Sequence, residues 1–296
     1  MMRSLLFVPA DSENKLAKAE SIPADGIVID LEDSVAPQNK ERARGLAREY
    51  LQGRQGERAQ SLWVRMNPVF SPEAGADLAA VMPVAPDGIM LPKARSVDDV
   101  ELLGQRLGTY EAEYERQVGA TLILPIVTET PGALFGLGDY AKCGKRLAAL
   151  TWGAEDLASA IGASRKQDDN GEWTPPFQWV RSLCLFAAHA ATVTAVDTLF
   201  ADFRDAEGLQ KSCATARRDG FHGKLAIHPG QVEIINRSFT PDADEVDHAR
   251  AIVELFAANP GAGTLALDGV MVDLPHLQQA QHILAMAEAA ASKPTE

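Results

Sequence analysis

Eight short apolar runs, several of them ending in polar or charged residues, recur along this chain and limit its fold more than any other feature. They are residues 4–9, 26–32 (GIVIDLE), 61–67 (SLWVRMN), 88–93 (GIMLPK), 121–129 (TLILPIVTE), 147–156 (LAALTWGAED), 194–200 and 223–229 (GKLAIHP). Uninterrupted apolar runs of this length suit strands buried on both faces, as in a parallel sheet. Helical patterns fall between them at 14–20, at 38–50 after Pro37, at 96–106 behind a serine start, at the apolar stretch 178–193, and at 205–219. Strand alternating with helix points to α/β with right-handed crossovers. Eight units favour closure into a (β/α)8 TIM barrel over an open sheet. No GxGxxG opens the first unit, which counts against a dinucleotide fold.

The tail breaks this rhythm. Residues 241–256 read as a helix after a proline start, 259–263 (NPGAG) as a turn, 266–273 as a short extended piece and 277–291 as a final helix. The expected division is a catalytic barrel over 1–240 and a C-terminal helical extension over 241–296, which caps the barrel or reaches a neighbouring subunit. Residues 293–296 are expected to fray.

Net charge is −13, so long-range repulsion opposes nucleic acid or an anionic membrane surface as the main partner. A small anionic ligand responds to local charge and stays open. No stretch approaches the roughly 20 apolar residues of a membrane span. Residues 1–9 lack the full apolar segment and cleavage site of a signal peptide. Cys143, Cys184 and Cys213 are widely spaced with no CxxC; reduced thiols and a cytoplasmic setting are expected.

In a barrel of this kind the active site lies at the C-terminal ends of the strands. The apolar runs place Asp30, Glu32 and Asp33 at the second such end, Arg65 and Asn67 at the third, and Lys93 at the fourth. Glu129 closes the fifth, Glu155 and Asp156 the sixth, and His228 the eighth. One charged end can be a solvated loop start; a series aimed at one mouth points to a site. Glu129 and Asp156 close adjacent strands, so their carboxylates can converge on a hard cation such as Mg2+, which takes one or two carboxylates and leaves positions for substrate oxygens. That suits a 2-oxo acid. The competing role is helix capping, since Glu129 precedes Thr130-Pro131 and Asp156 precedes a helical run. Arg65 rises from a dry strand, where its fork either meets a carboxylate or enolate oxygen or pairs with Glu32 or Asp33. Glu32 and Asp33 can hold metal waters or Arg65. His228 could be a base or a ring bonded to its own loop, and His189 falls in a core pattern.

Taken in order, the segments Arg3-Ser4-Leu5-Leu6-Phe7-Val8-Pro9, Asp30-Leu31-Glu32-Asp33 with Ala36-Pro37, and Val64-Arg65-Met66-Asn67 form a recognisable series. It continues through Leu91-Pro92-Lys93, Glu129-Thr130, Gly153-Ala154-Glu155-Asp156-Leu157 and Lys224-Leu225-Ala226-Ile227-His228-Pro229. Over nearly its whole length the chain resembles the citrate lyase β-subunit-like branch of the HpcH/HpaI aldolase superfamily. The resemblance implies a (β/α)8 barrel, Mg2+ (with Mn2+ able to substitute) on Glu129 and Asp156, and coenzyme A thioesters such as malyl-CoA, citramalyl-CoA or citryl thioesters as substrates.

Met271-Val272-Asp273-Leu274-Pro275 is similar to the C-terminal motif of malyl-CoA and citramalyl-CoA lyases. By that resemblance Asp273 is the catalytic acid/base, delivered to an adjacent subunit, and Arg65 stabilises the enolate. The oligomer implied is a homotrimer, with trimers able to pair into hexamers. Lys15, Lys18 and Lys93 are the residues expected near the coenzyme phosphates. Residues 165–176 (RKQDDNGEWTPP) depart from the family pattern and leave the acyl group open. The alternatives are a citrate lyase β subunit working on an acyl carrier protein and a coenzyme-A-independent class II pyruvate aldolase.

Overall fold

The computed structural model describes residues 2–56 and 58–291; the expected fraying of 293–296 lies outside them. The chain divides into two compact units, 2–236 and the part from Arg237 onward. The boundary lies a few residues before the expected 240/241.

The first unit is a parallel barrel. Its strands are β1 (Ser4–Pro9), β2 (Gly26–Asp30), β3 (Ser61–Arg65), β4 (Gly88–Leu91), β5 (Leu122–Pro125), β6 (Ala149–Thr151), β7 (Thr194–Asp197) and β8 (Gly223–Ala226). They hydrogen-bond in the order β5-β4-β3-β2-β1-β8-β7-β6. Isolated parallel bridges Ile123↔Leu147 and Ile126↔Thr151 close β5 onto β6. The expected (β/α)8 architecture is therefore present.

Each strand but the first stops short of the run that announced it. β4 stops before Pro92, because proline cannot donate to the ladder, and β5 runs to Pro125. Beyond β2 the polar residues Glu32 and Asp33 belong to the following loop. Beyond β6 the chain turns, so Glu155 and Asp156 lie in the first turn of a helix rather than at a strand end.

Alternation along the strands sends one set of side chains inward. Leu5, Val28, Trp63, Met90, Leu124, Ala149, Val196 and Leu225, one from each strand, form a single buried cluster. Trp63 is the largest of them, and it makes a glycine necessary next door: a Cβ on Gly88 would lie 2.1 Å from the indole. This filled interior is a floor, and the site stands above it on the C-terminal strand ends.

The helices around the barrel are α1 (Glu13–Ala19), α2 (Lys40–Gln52), α3 (Ala74–Val81), α4 (Val97–Glu113), α5 (Glu155–Ile161), α6 (Pro175–Ala190), α7 (Ala206–Asp219) and α8 (Pro229–Ser238). A 3-10 helix, Pro131–Lys142, follows β5. Ser96 caps α4 by accepting from Asp98 N–H, and α4 runs past its expected end at 106. α6 starts three residues before the expected 178 because Pro175 and Pro176 occupy its first turn, where their missing N–H groups cost nothing.

The second unit holds α9 (Ala243–Ala258), β9 (Thr264–Leu267), β10 (Val270–Asp273) and α10 (Leu274–Ala291). A capping box between Asp242 and Glu245 opens α9. The single extended piece expected over 266–273 is an antiparallel hairpin. Its turn is Asp268-Gly269, both at positive φ, the pairing that type I′ hairpin turns require. Ala249, Ile252, Phe256, Val272 and Ala280 form its core. Among the described residues no helix is long and apolar enough to cross a membrane.

Candidate functional site

Asp30 and Arg65 sit opposite each other in the β2–β3 register. Both point inward at the rim, two positions above Val28 and Trp63. Arg65 donates from Nε to Asp30 Oδ1 at 2.7 Å and from Nη2 to Oδ2 at 2.6 Å, a bidentate pair. Nη1 lies 3.0 Å from Glu32 Oε2, yet that buried oxygen accepts no hydrogen bond. Phe7 lies beneath the guanidinium, 4.8 Å from its centre. Burial alone would raise the Asp30 carboxyl, but the bonds and charge of Arg65 hold it below the usual carboxylate range. Burial works against the Arg65 cation too, and Asp30 more than offsets it. Glu32 is different: its burial outweighs Arg65 and Lys93, so its carboxyl is raised.

The loops after β2 and β3 are fastened by residues whose part the sequence did not reveal. Lys40 Nζ donates to Leu31 O, Glu32 O and Asn67 Oδ1 at 2.6–2.9 Å. Asn67 Nδ2 in turn donates to Leu31 O and Asp77 Oδ2. Asn67 is thus a pin between loops, not a group in the site.

Lys93 follows β4 with φ +51, a left-handed conformation that side chains other than glycine rarely adopt. The backbone turn has two effects. It aims the Lys93 N–H at Glu129 Oε2, 2.5 Å away. It also places the ammonium against Glu32 and Asp33, with Asp156 Oδ1 at 3.4 Å. This lysine is expected near the coenzyme phosphates; in the structure its ammonium meets carboxylates. Burial lowers an ammonium, but Glu32 and its neighbours push Lys93 above its ordinary range. Lys15 and Lys18 are exposed on α1.

Glu129 is 5% exposed. It lies beyond the end of β5 and accepts from Lys93 N–H, while α5 begins behind Ala154 with no side-chain cap bond. Neither carboxylate makes the helix-capping bond that was the alternative. Burial pushes Glu129 up to about 8, the charges of Asp156 and Glu32 add to this, and the Lys93 bond and charge pull the other way. A buried carboxylate left uncompensated in this way is one that a divalent cation would relieve. Among the described residues no group of three or more His, Cys, Asp or Glu forms a metal cage. Mg2+ takes one or two carboxylates and lets waters and substrate oxygens complete its shell, so the chemistry of this donor pair fits the ion.

Elsewhere in the barrel, His228 Nδ1 accepts from Gly230 N–H at 3.1 Å and its ring stacks on Phe203, 4.8 Å between centroids. That is the loop-bonded alternative. In the second unit, Asp273 ends β10 and lies 2.5 Å from His276 Nδ1, which holds its carboxyl below the usual range.

The HpcH/HpaI aldolase/citrate lyase family profile matches residues 3–229. The citrate lyase subunit beta of Haemophilus influenzae is 31% identical over 290 residues, covering 97% of each chain. The (3S)-malyl-CoA thioesterase of Cereibacter sphaeroides is 33% identical over 293 residues, covering 98% of this chain and 96% of its own. The CitE protein of Mycobacterium tuberculosis, solved with magnesium, acetoacetate and coenzyme A, superposes with TM-score 0.78 at 29% identity. That match covers 97% of this chain and 98% of CitE.

Proposed function

The chain belongs to the HpcH/HpaI aldolase/citrate lyase family, and from that premise we propose that it is a Mg2+-dependent carbon–carbon lyase. Its substrate in this reading is a 3-hydroxyacyl thioester of coenzyme A, cleaved reversibly to acetyl-CoA and a 2-oxo acid. Citramalyl-CoA, giving pyruvate, is preferred over malyl-CoA, giving glyoxylate. The observation that carries the reading is the placing of Glu129, Asp156, Glu32 and Asp33 around Lys93, next to an arginine already fixed by Asp30. The magnesium, acetoacetate and coenzyme A of the CitE structure support it.

Glu129 and Asp156 would hold the ion, which when bound supplies a Lewis acid for the oxygens of a chelating substrate. The remaining work belongs to the chain. Asp30 takes Nε and Nη2 of Arg65, so Nη1 is the end presented to the thioester oxygen where negative charge develops. Because Asp30 has already set the fork, little reorganisation is needed as that charge appears. Glu32 and Asp33 keep the Lys93 ammonium near Asp156. Asp273, delivered by a neighbouring copy, moves the proton at the enolate carbon. Lys15 and Lys18 contact the coenzyme phosphates. The protein works as a cytoplasmic homotrimer or a pair of trimers.

A second reading, hydrolysis of the malyl thioester, is favoured by the Cereibacter sphaeroides relative. One assay separates the readings. The protein is incubated with Mg2+ and malyl-, citramalyl- or citryl-CoA, and the products are followed. Acetyl-CoA with pyruvate, glyoxylate or oxaloacetate marks the lyase and names the acid. Free coenzyme A with intact hydroxy acid marks hydrolysis. No reaction with any thioester overturns the proposal and leaves the carrier-protein and coenzyme-independent alternatives.

A further inference from the structure

Behind the turn that carries Asp156 lies a polar cluster with no part in the chemistry above. Trp152 follows β6 directly and is wholly buried. Its indole N–H donates to Asp197 Oδ1 at 2.7 Å. Asp197, the last residue of β7, also accepts from Lys224 Nζ of β8 at 2.7 Å and from Arg181 Nε of α6 at 3.3 Å. All four side chains lie on the helix-facing side of the barrel wall or against it. A buried ion pair is weak evidence for stability, since well-packed apolar residues often do as well. What apolar residues would not do is fix one indole in one orientation, as a bond to an ionised acceptor does.

The same ring is also met by the loop between α5 and α6. Trp173 stands edge-on to Trp152 with centroids 5.0 Å apart and also packs on Phe177. The loop is itself folded back: Gln167 pairs with Trp173, Asp168 N–H donates to Glu172 O, and Gly171 supplies the positive φ of the turn. Its Lys166 forms an ion pair with Glu155, the residue before Asp156. Between these two holds, Gly153 N–H donates to Thr128 Oγ1 at 3.0 Å. Residues 152–156 are therefore gripped at both ends by one loop and at the start by a buried carboxylate.

We infer that Trp152, held by Asp197 and by Trp173 of the 163–174 loop, is a positioning residue that fixes the turn carrying Asp156 beside Glu129. The consequence for cation binding rests on the reading of Glu129 and Asp156 as ligands; the fixing of the turn does not.

The test uses the full-length protein and two readouts other than turnover. Trp173→Ala is compared with wild type by hydrogen exchange of the peptide spanning 152–157 without metal, and by Mn2+ affinity from electron paramagnetic resonance. The expected result is exchange about tenfold faster in that peptide alone, and Mn2+ binding about tenfold weaker, with the thermal midpoint preserved. Trp173→Phe, which keeps an aromatic edge, restores both, and Trp152→Phe, which removes the N–H donor together with part of the ring, reproduces the loss. Unchanged exchange at 152–157 overturns the inference, as does a rise spread over all peptides with a fallen midpoint, which marks general destabilisation. If wild type binds no Mn2+ while the 152–157 peptide responds, the ligand reading fails and the positioning role stands.

Discussion

Glu129 folds its side chain across the backbone of Gly153, so closely that a Cβ at 153 would lie 2.8 Å from Glu129 Cγ and 3.0 Å from Oε1. The glycine is not there for a left-handed backbone; it is there to leave room. A buried carboxylate crosses the exit of β6 where any other residue would put a methyl group. Gly153→Ala should displace Glu129 rather than unfold the barrel, since overpacking of this kind costs roughly 1–3 kcal/mol. Mn2+ affinity should fall by about tenfold or more, in line with losses seen when groups supporting a metal site are disturbed. Calorimetric titration beside a denaturant melt separates the two effects, and unaltered Mn2+ binding would remove Glu129 from the ligand set.

The Glu129 carboxyl also predicts a pH dependence. Burial, then the charges of Asp156 and Glu32, raise it from an ordinary 4.5 to about 8 in the metal-free fold. The folded state then holds a proton that the unfolded chain has released between those values. This contribution to stability is fully present below about 4.5 and is lost as pH rises through about 8. A cation must displace the same proton. Its apparent affinity should climb about tenfold per pH unit below that range and level off above it. Mn2+ titrations at pH 6, 7 and 8 read this slope. A flat profile, or metal-free melts that do not decline toward pH 8, would mean that Glu129 is already ionised.

Arg65→Lys keeps the positive charge and loses the fork. One ammonium cannot satisfy both Asp30 oxygens and still present a donor toward Glu32 and a ligand. If Nη1 meets the developing enolate, turnover should fall by about a hundredfold or more, the scale seen on losing one preorganised donor. KM should move less. A collapsed melting temperature with normal turnover would instead make Arg65 a structural partner of Asp30.

The Asp30–Arg65 pair marks how far the sequence could be read. Buried runs with proline at several ends announce eight strands, because parallel strands covered on both faces need unbroken apolar residues. Period two then makes Asp30 face inward with Val28, and Arg65 with Trp63, so the pair could have been found by parity alone. Of the two partners expected for Arg65, Glu32 does lie 3.0 Å from its Nη1, but Asp30, which takes the bidentate bond, was not among them. Asp156 was legible as a candidate ligand just before a helical run but not as part of the helix's first turn: its run of apolar neighbours hides the turn at Trp152-Gly153. Lys93 was legible only as a lysine. Its contacts depend on a positive φ and on three carboxylates distant in sequence, and no local pattern encodes that. Lys40 and Asn67 bond to backbone oxygens, to each other and to Asp77, contacts that leave no mark on composition.

Asp273 remains to be placed in the reaction, and its surroundings suggest how. It lies in the second unit, partly exposed and paired with His276 at 2.5 Å, with Val270, Met271 and Leu274 exposed around it. Apolar side chains set beside an ionised carboxylate suit a segment that covers a ligand on another copy. Asp273→Asn should keep Mn2+ and thioester affinity yet lose most turnover, since the amide cannot exchange a proton at carbon. Sharing between subunits gives a sharper outcome. Asp273→Asn and Asp156→Ala are each expected to be inactive, but in a head-to-tail ring some sites pair an intact barrel with an intact tail. After unfolding and co-refolding at equal amounts, about a quarter of wild-type activity should return, the fraction random heterologous assembly allows. The measurement is turnover of the mixture against each variant refolded alone. No recovery, from mixtures that sizing and tagged pull-down establish as mixed oligomers, would place Asp273 either within its own chain's site or outside the chemistry. Full activity of Asp273→Asn alone would remove it from the mechanism altogether.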